Sequence, residues 1–569
     1  MADDTSDVIT LDNFGSKLSR LGAGDRKPLY GLVDMGSNGI RFSISELEPD
    51  HCRILPCLFR ERAGISLYDA LHESNAGSKA FHFPDDTIKA VAAKLARFKA
   101  VCDGYGVQKD RIIVFATEAM RTALNKDAMM KAIKDASGLT VDILSPQMES
   151  LFGAMGARSP FGDVSGLFMD LGGGSVQMTY VPSGSGVAGE AARAGRSLPF
   201  GAAKLTAALS SQETADAAKA ELIKGMKDSF KALVKEFPDL ADNVKNKDGI
   251  TIYFCGGGFR GYGNCLMHSD PIQPYPIPAI GGYTVPGHRF EQWKKMLEAN
   301  KEDGKIFGMS KRRREQFPAI VTVVRALIDA VPNIKQVIFC SGGNREGVLY
   351  MILPPDIRAR SPLAHLGEAP GFPNDNVADK VVDILISALP KDYPEIFTRD
   401  LLLCFGKLLW TDMGNTPEVN SARALHDPIS FASVLGFTHQ VRAVLSLTLC
   451  ARWGNDLGPI DKNLFDNLRL LIGPELSWWC DYIGKVLNLL ATVVPNCPSA
   501  VEQLDKIIGL RASTHESDSK KQKVDIKLHV ALNSISSSEV GANDLGNGFD
   551  KVGKGLHLGW KVKIEIGNL

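Results

Sequence analysis

Three features that this sequence lacks reduce the classes of function that it could have. Its 65 Lys and Arg residues balance its 65 Asp and Glu residues, so the net charge gives no sign of a nucleic-acid partner, although a local basic channel is not excluded. No apolar run reaches the roughly 18 residues that a membrane-spanning helix needs. None of the ten cysteines forms a C-x-x-C pair, which favours buried, reduced thiols over a disulfide framework.

Signals for targeting and for one common type of nucleotide binding are also missing. The first residues, M-A-D-D-T-S-D-V-I-T, are acidic and polar, unlike a secretory signal or a basic transit peptide. No G-x-x-x-x-G-K-[ST] segment occurs, which excludes a Walker-type NTPase. We therefore expect a cytoplasmic protein with no membrane segment and no direct nucleic-acid binding.

Two distant segments of the sequence share one pattern. Residues 32–42 read L-V-D-M-G-S-N-G-I-R-F, and residues 168–178 read F-M-D-L-G-G-G-S-V-Q-M. In each segment an apolar strand ends in Asp-x-Gly, a small polar turn follows, and a second strand begins, so that Asp34 matches Asp170. A repeat at this distance predicts two similar halves that face each other across a cleft.

Strand and helix patterns alternate in both halves, which predicts an α/β fold with a mostly parallel sheet and helices on both faces. In the first half the predicted elements are a hairpin of strands 29–33 and 41–47, a helix from residue 85, a strand at 112–116, helical segments over 118–136, and a strand at 140–144 followed by a short helix. In the second half they are a hairpin around 172–175, a helix at 213–237, a strand at 251–255, a helix at 317–331 and a strand at 336–340.

The 569 residues are enough for roughly three to four domains, and the 44% apolar fraction supports real hydrophobic cores. A Pro-rich stretch at 354–373 marks a boundary, and strict alternation returns twice near the end of the chain, which predicts two strands of a small terminal sheet. The predicted regions are a flexible tail at 1–28, a first lobe at 29–165, a second lobe at 166–352, a helical domain at 376–510 and a small β-rich region at 520–569.

The two Asp-x-Gly turns have the chemistry of a phosphate site. Glycines remove side-chain bulk, so backbone N–H groups can point at phosphate oxygens. A carboxylate beside phosphate is repelled unless a cation lies between them, which makes Asp34 and Asp170 candidate Mg²⁺ ligands. Ser37, Asn38, Ser175 and Arg41 would add hydrogen bonds or charge. The alternative is that Asp-x-Gly only closes a hairpin turn, and the second copy in a matching setting argues against that.

These turns resemble the phosphate loops of the exopolyphosphatase/guanosine-pentaphosphate phosphatase (Ppx/GppA) family. Three other segments are similar to family motifs: A-T-E-A-M-R-T-A-L-N at 116–125, L-S-P-Q-M-E-S at 144–150 and L-P-F-G-A-A-K-L at 198–205. The resemblance covers residues 29–352 and implies a duplicated actin-like (actin/Hsp70/sugar-kinase) two-lobe core. Within the family the chain looks most like the fungal retrograde-regulation proteins, which relay mitochondrial state to nuclear transcription.

The resemblance also implies roles for single residues. Glu149 holds the position of the family's catalytic base, and Arg121 matches a family arginine near the phosphate. The second phosphate loop matches at Asp170, Gly172, Gly173, Gly174 and Ser175, and the later glycine turn at Gly256 and Gly257. The alternative for Glu149 is a carboxylate favoured by the helix dipole in a first turn.

Several positions depart from the family pattern. Met148 replaces the first Glu of the family's pair, and Pro146 replaces the preceding Gly. The later glycine turn, F-C-G-G-G-F-R-G at 254–261, lacks the family's hydroxyls. The C-terminal helical domain carries His426-Asp427 but no further histidines spaced for a metal pair, so we expect a degenerate HD-like domain, with His426 and Asp427 in a loop or at a helix start. Residues 311–314, K-R-R-R, are interpreted as the solvated start of a helix, with a nuclear-localisation patch as the alternative.

The expected function therefore has two forms. The first is a regulator of retrograde signalling that binds Mg²⁺ with ATP, another nucleotide or polyphosphate, and that has regulatory protein partners. The second is an active phosphoanhydride hydrolase that uses Glu149 as its base. A small-molecule kinase of the same fold is a third alternative, with no visible acceptor site. A homodimer is one candidate oligomeric state.

Overall fold

The computed structural model describes residues 7–18, 21, 28–48, 53–73, 81–162, 164–184, 188–246, 249–363, 366, 375–430, 437–516, 524–533 and 548–569. The chain divides into two compact units with separate hydrophobic cores. The first unit comprises Met1–Asp270 and Ala279–Arg360, and the second comprises Pro271–Pro278 and Ser361–Leu569.

The first half of unit one is a six-stranded sheet with helices. Its strands are β1 (Val8–Ile9), β2 (Leu29–Gly36), β3 (Gly39–Glu46), β4 (Cys57–Ala63), β5 (Ile112–Ala116) and β6 (Val141–Leu144). Its helices are α1 (Phe14–Lys17), α2 (Leu67–Glu73), α3 (Asp85–Tyr105), α4 (Glu118–Thr122), α5 (Lys126–Ser137) and α6 (Pro146–Arg158). The strand order is β1-β6-β5-β2-β3-β4; the first four are parallel, and β3 and β4 join antiparallel.

The second half repeats this sheet. Its strands are β7 (Gly166–Leu171), β8 (Val176–Val181), β9 (Arg196–Leu198), β10 (Ile250–Cys255), β11 (Tyr283–Pro286) and β12 (Ile334–Phe339). The strand order is β11-β12-β10-β7-β8-β9, in which β12, β10 and β7 are parallel. Its helices are α7 (Ala188–Ala194), α8 (Ala202–Ala208), α9 (Gln212–Glu236), α10 (Pro238–Lys245), α11 (Gly256–His268), α12 (Gly287–Phe290), α13 (Trp293–Glu302), α14 (Lys311–Glu315), α15 (Phe317–Ala330), α16 (Asn344–Ile352) and α17 (Pro355–Ala359).

The two halves place the repeated aspartates at equivalent positions. Strand β2 is flanked by β5 and β3, and strand β7 is flanked in the same way by β10 and β8. Asp34 pairs across its hairpin with Arg41, and Asp170 pairs with Gln177. Together with the strand and helix order, this confirms the expected fold class, a duplicated actin-like α/β core.

Two equivalent helices, α6 and α16, pack against each other at an unusually close distance. Glycines make this possible: a Cβ on Gly156 would overlap the carbonyl oxygen of Gly343, and a Cβ on Gly347 would overlap the carbonyl oxygen of Phe152. The same helices supply Glu149 and Asn344 to the region between the two sheets. Their close approach therefore helps to fix the distance between residues from the two halves.

Unit two is a helical domain followed by a small sheet. Its helices are α18 (Asp375–Ser387), α19 (Arg399–Leu408), α20 (Pro417–Ser430), α21 (His439–Arg452), α22 (Pro459–Val493) and α23 (Val501–Asp505). Helix α22 is kinked at Gly473, which has a φ of 81° and precedes Pro474. The strands are β13 (Ile508–Glu516), β14 (Val524–Leu532) and β15 (Lys561–Asn568), in the order β13-β14-β15.

Three sequence-based expectations need correction. The terminal sheet has three strands, because β13 occupies residues that were predicted to be the end of the helical domain and a polar interruption. Part of the predicted flexible tail is ordered: β1 pairs with β6 in parallel. His426 and Asp427 lie inside helix α20 and not in a loop or at a helix start, and His426 contacts Asp461 at 2.8 Å.

Within the described residues, no helix combines the length and the hydropathy that crossing a bilayer requires.

The contact between α6 and α16 predicts a clear difference between two glycine substitutions. Gly347→Ala should destabilise the protein by about 1–3 kcal/mol, because the added methyl group forces the helices apart. Gly104→Ala in α3, where nothing lies within 4 Å of the added Cβ, should cause no loss and a gain of up to about 1 kcal/mol. Thermal unfolding of both variants measures the difference, and equal melting temperatures would contradict the close contact.

Candidate functional site

A cavity between the two sheets brings together residues from both Asp-x-Gly turns. Its volume is about 60 Å³, and it adjoins a second cavity of about 220 Å³. The first cavity, called here the carboxylate cavity, is lined by Asp34, Gly36, Ser37, Asn38, Gly39, Arg41, Thr117, Glu149, Asp170, Gly172, Gly173, Gly174, Ser175, Gly256, Gly257, Arg260, Gly343 and Asn344. All the predicted site residues except Arg121 are in this set.

Glycines are required because the turns of the two halves touch. A Cβ on Gly173 would lie 2.7 Å from the side-chain amide carbon of Asn38, and a Cβ on Gly174 would overlap Glu118. Gly256 has a φ of 82°, and a Cβ there would overlap Asp170. The glycines that suggested a phosphate loop from sequence therefore also let three backbone turns approach one another.

The start of helix α8 holds the second glycine turn, residues 172–174, through backbone hydrogen bonds. The carbonyl oxygens of Gly172, Gly173 and Gly174 accept hydrogen bonds from the N–H groups of Ala202, Ala203 and Gly201 at 2.9, 2.9 and 3.0 Å. These carbonyl groups are thereby directed at α8, which fixes the orientation of the peptide planes. A turn with its carbonyl oxygens occupied in this way is suited to present N–H groups to an anion.

Both aspartates lie near the ends of their strands, where Asp34 is buried and Asp170 is half-buried. Burial raises the pKa of Asp34, and Arg41 and Arg345 partly oppose this. Burial likewise raises the pKa of Asp170, against the effect of Arg260 and Arg41. Among the described residues, Oδ1 of Asp34 has no hydrogen-bond partner, although the side chain is buried. A carboxylate oxygen left in this state is costly unless a ligand or a cation reaches it.

The side-chain oxygen atoms of Asp34, Asp170 and Asn344 fit a magnesium ion. Asn344 contributes a second buried side-chain oxygen without a hydrogen-bond partner in the described part of the chain, and Asp34 and Asp170 contribute carboxylates. In that same part, no three His, Cys, Asp or Glu side chains lie close enough to enclose a metal ion by themselves. Mg²⁺ commonly keeps several waters and shares its coordination with one or two carboxylates and substrate phosphates, so this donor set is sufficient for it.

Glu149 is positioned at the start of helix α6. Ser145 caps the helix by accepting a hydrogen bond from the N–H of Met148 at 3.3 Å, and Pro146 follows as the first helical residue. Burial raises the pKa of Glu149 from its ordinary 4.5 to about 7; Arg121 opposes this, and Asp170 and Asp34 add to it.

Arg121 does not line the carboxylate cavity, so the structure gives no support to its predicted role as a phosphate clamp. Its Nη2 donates to Oε2 of Glu149 at 2.8 Å, and its Nη1 donates to the carbonyl oxygen of Leu144 at 2.6 Å. Each terminal nitrogen thus donates one hydrogen bond within the protein. Arg121 holds the carboxylate of Glu149 in place instead of contacting the cavity.

The second cavity is lined by arginines and is called here the arginine cavity. It shares Arg41 and Arg260 with the carboxylate cavity and adds Arg62, Arg312 and Arg313. Burial, together with Arg260, Arg41 and Arg62, lowers the pKa of Arg313 to about 10. The guanidinium groups therefore repel one another, and an anion with several charges would relieve that repulsion.

The K-R-R-R segment is a helix start, as expected, because α14 begins at Lys311, but Arg312 and Arg313 are not simply solvated. Arg312 pairs with Asp69 at 2.6 Å and donates to Asn38 Oδ1 at 3.1 Å, and Arg313 faces the arginine cavity. Sequence analysis also missed Gly343 and Asn344. A signal for these two residues was available in the sequence, because S-G-G-N at 341–344 is a fourth glycine turn, one residue after the strand Ile334–Phe339.

Comparisons with known proteins agree with the two-unit division. The Ppx/GppA phosphatase family model matches residues 43–355, and the RTG2 C-terminal domain model matches residues 370–568. The chain is 32% identical to Retrograde regulation protein 2 of Saccharomyces cerevisiae over 488 residues, which cover 82% of this chain and 81% of the relative.

Two bacterial proteins match the first part of the chain. Guanosine-5'-triphosphate,3'-diphosphate pyrophosphatase of Photobacterium profundum is 24% identical over 357 residues, covering 59% of this chain and 62% of that protein. The crystal structure of the Aquifex aeolicus member of the Ppx/GppA protein family is 20% identical, covers 57% of this chain and 96% of that chain, and has a TM-score of 0.43.

The raised pKa of Glu149 predicts how Glu149→Gln changes stability with pH. Because the pKa is higher in the folded state, ionising Glu149 weakens folding as pH rises from about 4.5 to 7. Glutamine does not ionise, so the variant should match the wild type near pH 4.5 and be more stable at pH 8, by up to about 3 kcal/mol.

Thermal unfolding at both pH values is the measurement, with Glu236→Gln as the control, since Glu236 is exposed and 3.5 Å from Arg196. A Glu149→Gln variant that is less stable than the wild type at pH 8 would show that the Arg121 pair outweighs burial.

Proposed function

The chain belongs to the Ppx/GppA phosphatase family and carries an RTG2 C-terminal domain, and on this premise we propose that it is a cytoplasmic regulator of retrograde signalling that binds a phosphate chain with Mg²⁺ in its first unit. The ligand is a nucleotide or polyphosphate. The single observation that supports this most is that Asp34 and Asp170, each at the end of a central strand, line one cavity with glycine turns on both sides.

The two adjoining cavities suggest how such a ligand is bound. One phosphate group lies among the glycine turns of the carboxylate cavity, where Ser37 and Ser175 offer hydroxyl groups. The remaining phosphates extend into the arginine cavity, where guanidinium groups can form paired hydrogen bonds with phosphate oxygens. A chain of phosphates therefore accounts for both the glycine turns and the arginine cluster.

Mg²⁺ would be held by Asp34 and Asp170 and would neutralise the charge between these carboxylates and the phosphate oxygens. Without a cation, the two carboxylates would repel the ligand that the arginines attract. The regulatory role follows if ligand binding changes the closure of the two halves and so changes a surface that protein partners recognise. This role is suggested by the relative of known retrograde function, whose similarity extends over both units.

A second candidate function is hydrolysis of the bound phosphate chain, and the state of Glu149 favours it. With a pKa of about 7, Glu149 can accept a proton from water near neutral pH, which is the property that a general base needs. The hydrogen bond that Arg121 donates to Glu149 fixes the orientation of the carboxylate. Water attack would form a new P–O bond at the terminal phosphorus and break its bridging P–O bond. The water proton would pass to Glu149, the shortened phosphate chain would leave with the bridging oxygen, and orthophosphate would be released.

A turnover and binding screen separates the two functions. The wild type and Glu149→Gln are compared with ATP, GTP, guanosine pentaphosphate and polyphosphate in the presence of Mg²⁺. If the protein is a regulator, we expect the wild type and Glu149→Gln to bind the ligand equally well and to release a negligible amount of phosphate. Release by the wild type that Glu149→Gln reduces at least about 100-fold would establish the hydrolase, whose rate should rise with pH toward a plateau above about 7.

The arginine cavity predicts a second, independent result. Arg313→Met should weaken binding of inorganic tripolyphosphate about 10–100-fold, because one charge-assisted contact is lost. It should not destabilise the ligand-free protein, because it also removes repulsion from Arg41, Arg62 and Arg260.

Isothermal titration calorimetry and thermal unfolding measure the two effects. Arg325→Met is the matched control, since Arg325 is exposed and stacks on Trp293 at 4.4 Å. Unchanged tripolyphosphate affinity in Arg313→Met would remove the arginine cavity from the proposed site.

A further inference from the structure

The helical domain of unit two contains a cavity that the proposed function does not use. Its volume is about 260 Å³, close to the lower end of the range for small-molecule pockets, roughly 300 Å³. Leucines from three helices form much of its wall: Leu408 from α19, Leu445 and Leu449 from α21, and Leu487 from α22. Leu445 and Leu449 are four residues apart and so lie on one face of their helix.

A buried arginine also lines this cavity. Arg452, the last residue of α21, is 5% exposed, and its Nη2 is 3.4 Å from the carbonyl oxygen of Leu409 and 3.2 Å from Sδ of Met413. Its guanidinium lies over the ring of Trp453 at 3.9 Å. Within the described residues its Nε has no hydrogen-bond partner, and no carboxylate lies within ion-pair distance.

The carboxylates that line the cavity are occupied by another arginine. Arg423 contacts Asp412 at 2.7 Å and Asp427 at 4.0 Å. These three side chains are more exposed than Arg452 and form a mixed-charge edge to the cavity. The charge of Arg452 is therefore not compensated from this side, and burial lowers the pKa of Arg452 to about 10.

A position at a helix C-terminus gives Arg452 some stabilisation from the helix dipole. That effect explains a cation at the end of α21, but it does not explain why Nε is buried without a hydrogen-bond partner in the described part of the chain. A buried polar group in apolar surroundings is costly unless a hydrogen-bond partner reaches it. A guanidinium in this setting is best satisfied by a carboxylate, which can accept two parallel hydrogen bonds.

We propose that this cavity binds a small amphipathic carboxylate, with its anionic group against Arg452 and its aliphatic body among the leucines. An uncharged aliphatic ligand would leave the guanidinium unpaired, and a cationic ligand would be repelled by it. A polyanion is disfavoured by Asp412 and Asp427 at the edge. This ligand class is different from the phosphate chain of unit one, so the site would be a second, separate binding activity.

Calorimetric titration of the full chain with three probes of equal length tests the proposal. We expect octanoate to bind at least tenfold more tightly than octan-1-ol, and octylamine not to bind. Arg452→Met should abolish the preference for octanoate over octan-1-ol, and Arg452→Lys should keep part of it. Ala424→Phe, which adds bulk to the wall without changing charge, should abolish binding of both probes.

Two controls make the result specific to this cavity. Arg399→Met removes an exposed arginine of the same domain that pairs with Asp379 and Asp383 at 3.0 Å, and it should leave octanoate binding unchanged. Arg313→Met should also leave it unchanged, which excludes the arginine cavity of unit one as the source. The proposal is overturned if the wild type binds no octanoate, if octanoate and octan-1-ol bind equally, if the preference survives Arg452→Met, or if octanoate still binds Ala424→Phe.

Discussion

Two carboxylates that share one cavity, the buried Asp34 and the half-buried Asp170, are the constraint on which the first unit's site depends. Asp34 and Asp170 both lose hydration, and each raises the pKa of Glu149 as well as being disfavoured by its own burial. The surrounding arginines, Arg41, Arg260 and Arg345, oppose this cost, and a hydrogen bond with Cys255 also lowers the pKa of Asp170. A protein without a cationic or phosphate ligand would have little reason to keep such an arrangement. One proposed site, for a phosphate anion together with a metal cation, accounts for the glycine turns, the helix pair α6–α16 and the arginine cavity.

The duplicated sheet is what brings these charges together. In each half, a central strand ends with one aspartate and is followed by a hairpin turn. Each half alone therefore supplies only one of the two carboxylates. When the two halves pack with the close contact of α6 and α16, the turns meet, and Gly173 lies against Asn38. The chain belongs to the Ppx/GppA phosphatase family, and the phosphate binding proposed for it would use residues of both halves. Whether hydrolysis accompanies binding depends on Glu149, whose carboxylate is held by Arg121.

Local patterns allowed much of the fold and part of the site to be predicted from sequence. The central strands, the hairpins and the helix that begins at residue 85 follow from local sequence patterns, and the structure confirms them. The partners of long side chains could not be predicted in this way. Arg121 reaches a glutamate 28 residues away, and Arg313 reaches a cavity formed by residues far apart in sequence.

Strand β13 was missed because its residues alternate weakly and include many polar side chains. The cavity at Arg452 depends on the packing of four helices, which no single segment encodes.

The most direct test of the account is the position of a bound metal ion. Crystals of the full chain grown with Mn²⁺, which substitutes for Mg²⁺ and scatters anomalously, and with inorganic tripolyphosphate would be measured by anomalous diffraction. The account predicts an anomalous peak in contact with both Asp34 and Asp170, with phosphate density extending toward Arg313. Tripolyphosphate bound elsewhere, or a metal ion that contacts neither aspartate, would contradict it.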